Sequence, residues 1–162
     1  FLSLQVINPL KEWVRGQPNP EGYILGHFRL LERNNPSLDA AYGPMQQRYQ
    51  QIKQTTDSIG AQVVIIMVPS SAQVCSPDQL PYYPRHVDVH DSSRFDLEKP
   101  QQLTQQIAES LTIPFFDLRP ALRAEPGGCP YQPYNMHWLP EGHVVAAGYI
   151  KDILMTLRLG GF

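Results

Sequence analysis

Apolar residues recur along this chain in two rhythms, one near 3.6 residues and one in short continuous runs. Leu2, Val6, Ile7, Leu10, Trp13 and Val14 follow the first, which predicts a short amphipathic helix over 2–15. The cluster Gly16-Gln17-Pro18-Asn19-Pro20-Glu21-Gly22 breaks it into a loop. The apolar residues 23–31 fit either helix or strand. From Asp39 to Ser58 the helical rhythm returns, and Met45, Tyr49, Ile52, Thr56 and Ile59 are expected to form one buried stripe. Gly60 stands where a helix stop is favoured.

The second rhythm begins at once. Ala61-Gln62-Val63-Val64-Ile65-Ile66-Met67-Val68 is short, β-branched and apolar at successive positions, the pattern of a strand buried on both faces of a parallel sheet. Pro69-Ser70-Ser71 ends it, and a loop is expected as far as Lys99. Residues 100–111 read as a helix with Leu103, Ile107 and Leu111 on its face. Ile113-Pro114-Phe115-Phe116-Asp117-Leu118 reads as a second strand. A Pro/Gly-rich loop over 120–136 leads to the last apolar run, Val144 to Leu157, expected to be a helix starting near Pro140, since proline is favoured at the first helical position.

The order helix, strand, loop, helix, strand, loop, helix predicts an α/β fold: three α/β/α layers around a mainly parallel sheet with right-handed crossovers. By length the chain is read as a single domain, 1–162, with an N-terminal helix and loop over 1–22 and an α/β core over 39–159. Only two convincing strands are present, so the domain is expected to be incomplete. An open strand edge would then be covered by residues 23–31, by the N-terminal helix, or by a second copy in a homodimer.

Composition narrows the partners. A net charge of −2 with unclustered Lys and Arg gives no nucleic-acid footprint, and no apolar stretch is long enough to span a membrane. Eleven of the sixteen prolines fall between 69 and 140, in stretches read mainly as loops, and long loops of this kind in a compact domain are usually functional. Cys75 and Cys129 lack ligand spacing, so no metal is expected at them. They are either two unrelated thiols or one disulfide of an oxidising compartment. Each follows a strand by a short interval, and strands joined by a helical crossover are usually neighbours. A bridge between them is therefore expected whenever the protein lies outside the cytosol.

Candidate chemistry concentrates at Tyr134-Asn135-Met136-His137-Trp138-Leu139-Pro140-Glu141-Gly142-His143. His137 falls on a loop just ahead of a helix N-terminus, whose positive end disfavours a protonated imidazole. A neutral imidazole beside a rigid element suits a general base. In open α/β sheets ligands bind beyond the strand C-terminal ends, where the 69–99 and 119–137 loops begin. His137 is accordingly expected to share a crevice with Ser70, Ser71 and the His86/His90 loop. The bland readings are a histidine at a loop–helix junction, a Trp138 that packs, and a His143 at the surface. His86 and His90 could clip a metal with Asp88 or Asp91, or decorate a solvated loop. Asp117 could face the crevice or accept hydrogen bonds from a loop. Tyr82, Tyr83, Tyr131 and Tyr134 could stack on sugar rings or pin proline-rich loops. Pro69-Ser70-Ser71-Ala72 lacks the glycines of a nucleophile elbow.

The run Asn135-Met136-His137-Trp138-Leu139, followed by Gly142-His143 and Ala146-Ala147, resembles the SGNH (GDSL-type) hydrolase superfamily in the branch similar to alginate O-acetyltransferases. Val68-Pro69-Ser70 resembles the end of that branch's penultimate strand, and Phe116-Asp117-Leu118 its last strand. The resemblance covers roughly residues 40–158 and implies the C-terminal part of a flavodoxin-like domain. It implies an esterase or O-acyltransferase acting on O-acetyl groups of a cell-envelope or extracellular polysaccharide. The protein would be periplasmic, secreted or attached to the envelope rather than cytoplasmic. His137 would be the general base and Asn135 its orienting partner, with Trp138, Ser70 and Tyr134 toward the substrate and no cofactor. The chain departs from the pattern in three ways. It has no Gly-Asp-Ser nucleophile block, so this chain alone is expected to be inactive. Asn135 replaces the family Asp, a swap costing about 10⁴-fold in serine proteases. Leu139 replaces an Asn that would cap the last helix. The alternative implied by these departures is a non-catalytic carbohydrate-binding or protein-interaction module of the same fold.

Overall fold

The computed structural model describes residues 28–81, 83, 87–133 and 136–157. The expected N-terminal helix over 2–15, most of 23–31, and Tyr82, His86, Tyr134 and Asn135 lie outside the described residues. The described chain falls into two compact units. One holds residues 28–68 and 89–117, the other residues 69–88 and 118–157 where described.

The first unit contains the sheet. Helix α1 spans Pro36–Ser58. Asn35 starts it: its side-chain oxygen accepts from the backbone N–H of Ser37 and of Leu38, both at 3.1 Å, and Pro36 supplies the preset φ of a first helical residue. This Asn-Pro signal moves the start three residues ahead of the expected Asp39. Strand β1 is Ile65–Met67 and strand β2 is Phe115–Asp117. They pair in parallel, Ile65 opposite Phe115, Ile66 opposite Phe116 and Met67 opposite Asp117. Helix α2, Lys99–Ser110, lies between them in the sequence and packs against both. The chain is thus a mixed helix–strand protein whose described sheet is a small parallel pair joined through a helical crossover, as an α/β reading requires.

The core of this unit is Ile65, Ala108 and Ile113, with Tyr49, Val63, Leu111 and Phe115 packed around it. Three expectations need correction here. The stripe of α1 is not buried as a whole: Leu38 is its buried residue, Met45 and Tyr49 are half-buried, and Ile52 and Ile59 are 47% and 74% exposed. The helix meets the core near Tyr49, and its last turns run past it. The buried face of α2 is also rotated from the expected one. Leu103 and Leu111 are half-buried, whereas Gln101 and Thr104 are buried alongside Ile107 and Ala108. Thr104 tolerates this because its hydroxyl donates to the Pro100 carbonyl at 2.8 Å. Val68, expected inside a strand buried on both faces, is exposed. Lys99 fastens the start of α2 through Asp39 Oδ1 at 3.0 Å and the Arg33 carbonyl at 2.9 Å. The 91–95 turn is closed by Asp91, whose carboxyl is held below its ordinary range chiefly by hydrogen bonds from the Ser93 side chain and backbone.

The second unit collects the segments that follow β1 and β2 in the chain. Short 3-10 turns at Ser71–Gln73 and Pro77–Gln79 interrupt the expected loop. Helix α3, Arg119–Arg123, occupies the start of what reads as loop in the sequence. Leu118 and Leu122, one turn apart and fully buried, anchor it, and Pro120 sits in its first turn. Helix α4, Pro140–Thr156, begins where Pro140 places it and packs on α3. No helix among the described residues is long and apolar enough to cross a membrane.

Candidate functional site

The His137 segment is one arm of a small hairpin in the second unit. Tyr131 bridges Trp138 in antiparallel fashion. The Gln132 N–H donates to the His137 carbonyl at 2.9 Å, and the Leu139 N–H donates to the Pro130 carbonyl at 2.8 Å. Leu139 is the N-cap residue of α4 and offers no side-chain acceptor, as its apolar side chain dictates. The hairpin therefore positions the helix start through backbone pairing instead of a polar cap. His137 itself is exposed.

Trp138 is half-buried between two rings. It meets Tyr131 edge-on at 6.3 Å between centroids and His143 edge-on at 5.4 Å. Gly142, in the first turn of α4, lets this layer close. A Cβ built there would lie 2.7 Å from the Pro130 carbonyl oxygen and 3.0 Å from Trp138 Cβ. Tyr131 is buried, and its hydroxyl donates to the Pro69 carbonyl at 2.6 Å. That bond ties the hairpin to the residue that follows the β1 run in the sequence.

Two further links join the 69–88 and 118–133 segments. Cys75 and Cys129 are disulfide-bonded, with Cα atoms 5.1 Å apart. The Arg123 guanidinium donates to the Gln73 carbonyl, from Nε at 2.8 Å and also from Nη2. Buried Gln73 in turn accepts from the Ser70 backbone N–H at 2.9 Å. Both proline-rich loops thus belong to one cross-linked body, with the Tyr131 and Tyr83 hydroxyls as pins. Ser71 is 1% exposed, and its hydroxyl lies 2.6 Å from that of Tyr83.

Of the two serines at the strand end, Ser71 is committed to structure in this arrangement. Ser71 is sealed in, and Ser70 is half-buried with its hydroxyl 3.4 Å from the Gln73 carboxamide oxygen. His90 and Asp88 are both exposed, and among the described residues no group of three or more His, Cys, Asp or Glu side chains could hold a metal ion. Asp117 is half-buried at the end of β2.

A cleft of about 460 Å³ opens beside the hairpin base, lined by Glu125, Gly128, Cys129, Pro130, Leu139 and Glu141 among others. Its volume is within the range of small-molecule sites. The Glu125 carboxylate accepts from the Gly127 N–H at 3.3 Å, and Glu141 lies in the first turn of α4. The sequence signals missed here were local: Glu125-Pro126-Gly127-Gly128 is a strong turn, and Glu141 follows a helix-starting proline.

The Tyr131 bond gives a direct check. Tyr131→Phe leaves the ring layer in place and leaves the buried Pro69 carbonyl without this donor. It should cost about 1–3 kcal/mol in chemical denaturation, the usual penalty of an unsatisfied buried group. A loss under roughly 0.5 kcal/mol would show that water replaces the phenol.

Compared with protein-family models, curated proteins and solved structures, the chain matches none of them.

Proposed function

We propose that this chain is the histidine-bearing part of an SGNH-type esterase or O-acyltransferase, with His137 as general base. The carrying observation is the exposed His137 on a backbone-paired arm that runs straight into α4, with its neighbour Trp138 packed against Gly142 and Tyr131 bonded to Pro69. A general base needs solvent access and an anchored backbone, and His137 has both. In this reading the small parallel sheet is part of a larger three-layer, flavodoxin-like one. The nucleophilic serine comes from outside these 162 residues and loses its proton to His137 as it attacks an ester carbonyl. Asn135, or a carboxylate elsewhere, orients the ring. The substrate class is an O-acetylated polysaccharide of the cell envelope or exterior, a location in keeping with the disulfide. Trp138, Tyr134 and Ser70 stand toward that substrate, and pairing of two copies through an open strand edge completes the sheet.

A second reading requires no outside serine: the hydroxyl of Ser71, at the strand end, is buried and bonded to Tyr83, so it gives His137 no partner for acyl transfer. There the same surface is a non-catalytic carbohydrate-binding or protein-interaction module.

Acetate release from acetylated polysaccharide separates the two. The natural full-length protein should turn over, His137→Ala should lower kcat by about 10²–10⁴-fold, and Asn135→Asp should raise it. Residues 1–162 alone should hydrolyse p-nitrophenyl acetate no faster than buffer. Turnover unaffected by His137→Ala would sink the catalytic reading, and polysaccharide binding with no turnover would establish the second.

A further inference from the structure

The two sulfurs of the Cys75–Cys129 bridge sit in unequal surroundings. Cys75 is 4% exposed, and it is not among the residues lining the cleft. Cys129 is half-buried and forms part of the cleft wall. A nucleophile in the cleft therefore has access to one end of the bond. We propose that Cys129 is a thiol-exchange site: a small thiol enters the cleft and forms a mixed disulfide on Cys129, releasing Cys75.

The step balances without a further oxidant or reductant. The incoming thiolate uses its electron pair to form a bond to Cys129 Sγ. The Cys75–Cys129 bond breaks, and its electron pair leaves on Cys75 Sγ, which takes a proton from water. One disulfide replaces another. Access sets the regiochemistry. A buried Cys75 is a poor leaving thiolate, yet the reverse attack would need a nucleophile to reach a sulfur sealed from solvent.

The cleft walls also select among thiols. Glu125 and Glu141 both line it, and among the described residues no Lys, Arg or His does. The Gly127 N–H holds the Glu125 carboxylate at the rim. Two carboxylates favour a cationic thiol over an anionic one, and the preference weakens as salt screens it. The fitting modifier is a small aminothiol rather than a carboxylated or sulfonated one. This site stands independently of any role for His137.

Oxidised protein is treated with cysteamine or with 2-mercaptoethanesulfonate, trapped at intervals with N-ethylmaleimide and peptide-mapped by mass spectrometry. The thiol mass is expected on Cys129 and the maleimide on Cys75. Per unit of thiolate, cysteamine should react roughly five-fold faster at low salt and approach parity at about 1 M. Glu125→Gln with Glu141→Gln should abolish that difference. Adducts on Cys75, an even distribution, or exchange only in denaturant would overturn the site. A cysteamine preference that survives both substitutions would overturn the cleft as the route. The wild-type map decides the regiochemistry even where the double variant misfolds.

Discussion

Replacing Cys75 and Cys129 together with serine should lower the stability of the protein by about 4 kcal/mol, the chain-entropy value for a loop of this length. The bridge closes a sequence separation of 54 residues. That separation matters because the segments it joins own few buried apolar side chains between them. Over 69–88 these are chiefly Ala72, Leu80, Tyr83 and Val87. The segments are also tied by hydrogen bonds, one from Tyr131 to Pro69 and two from Arg123 to Gln73. Each contributes on the order of 1 kcal/mol net. Urea titration should show a lower midpoint and a steeper dependence on denaturant, because the uncrosslinked unfolded chain exposes more surface. The hairpin amides of Gln132 and Leu139 should lose hydrogen-exchange protection before the Ile65–Phe115 pairing does. A double variant within about 1 kcal/mol of wild type would mean that the hydrogen bonds alone hold the two segments.

The parts of the fold legible in the sequence are those set by local pattern. The β-branched run at 61–68 and the run at 113–118 each contain a strand, and Pro140 marks a helix start, because propensity and periodicity act over a few residues. The edges of burial were less legible. Ile52 and Ile59 keep perfect helical spacing, yet they stay exposed because periodicity tells which residues share a face and not how far a neighbour extends along it. Gln101 and Thr104 went the other way, polar residues buried on α2 beside Ile107 and Ala108. Helix α3 was hidden by its proline, which reads as a breaker until its place in the first turn is known. At the candidate site, His137, Trp138 and Gly142 could be singled out as a motif. Their mutual geometry depends on the Pro130 and Pro69 carbonyls, and backbone acceptors leave no mark in a sequence. The role of Tyr131 as a pin was visible only as one of two readings of a tyrosine in a proline-rich loop.

Two glycines in the same helix should respond to alanine in opposite directions. Gly148 faces open space, with none of the described residues within 4 Å of an added Cβ. Gly148→Ala should therefore show only the helix-propensity gain, about 1 kcal/mol of added stability. Gly142 has the same intrinsic gain available but no room for it. Its Cβ would press to 2.7 Å on the Pro130 carbonyl oxygen, which already accepts from the Leu139 N–H at 2.8 Å. A carbonyl fixed by that bond cannot retreat without opening the hairpin, and the contact with Trp138 Cβ blocks the other way out. Overpacking of this kind costs about 1–3 kcal/mol, so Gly142→Ala should be net destabilising despite its better helix propensity. The strain should also register in the hairpin, as shifted NMR resonances for Tyr131, His137 and Trp138 while those of Ile65 and Ile107 stay in place. If His137 acts as the base proposed above, activity should fall further than stability, since a base moved by about 1 Å loses roughly 10²-fold in rate. Equal stabilisation by the two alanines would refute the close approach of α4 to Pro130, and with it the bracing of His137.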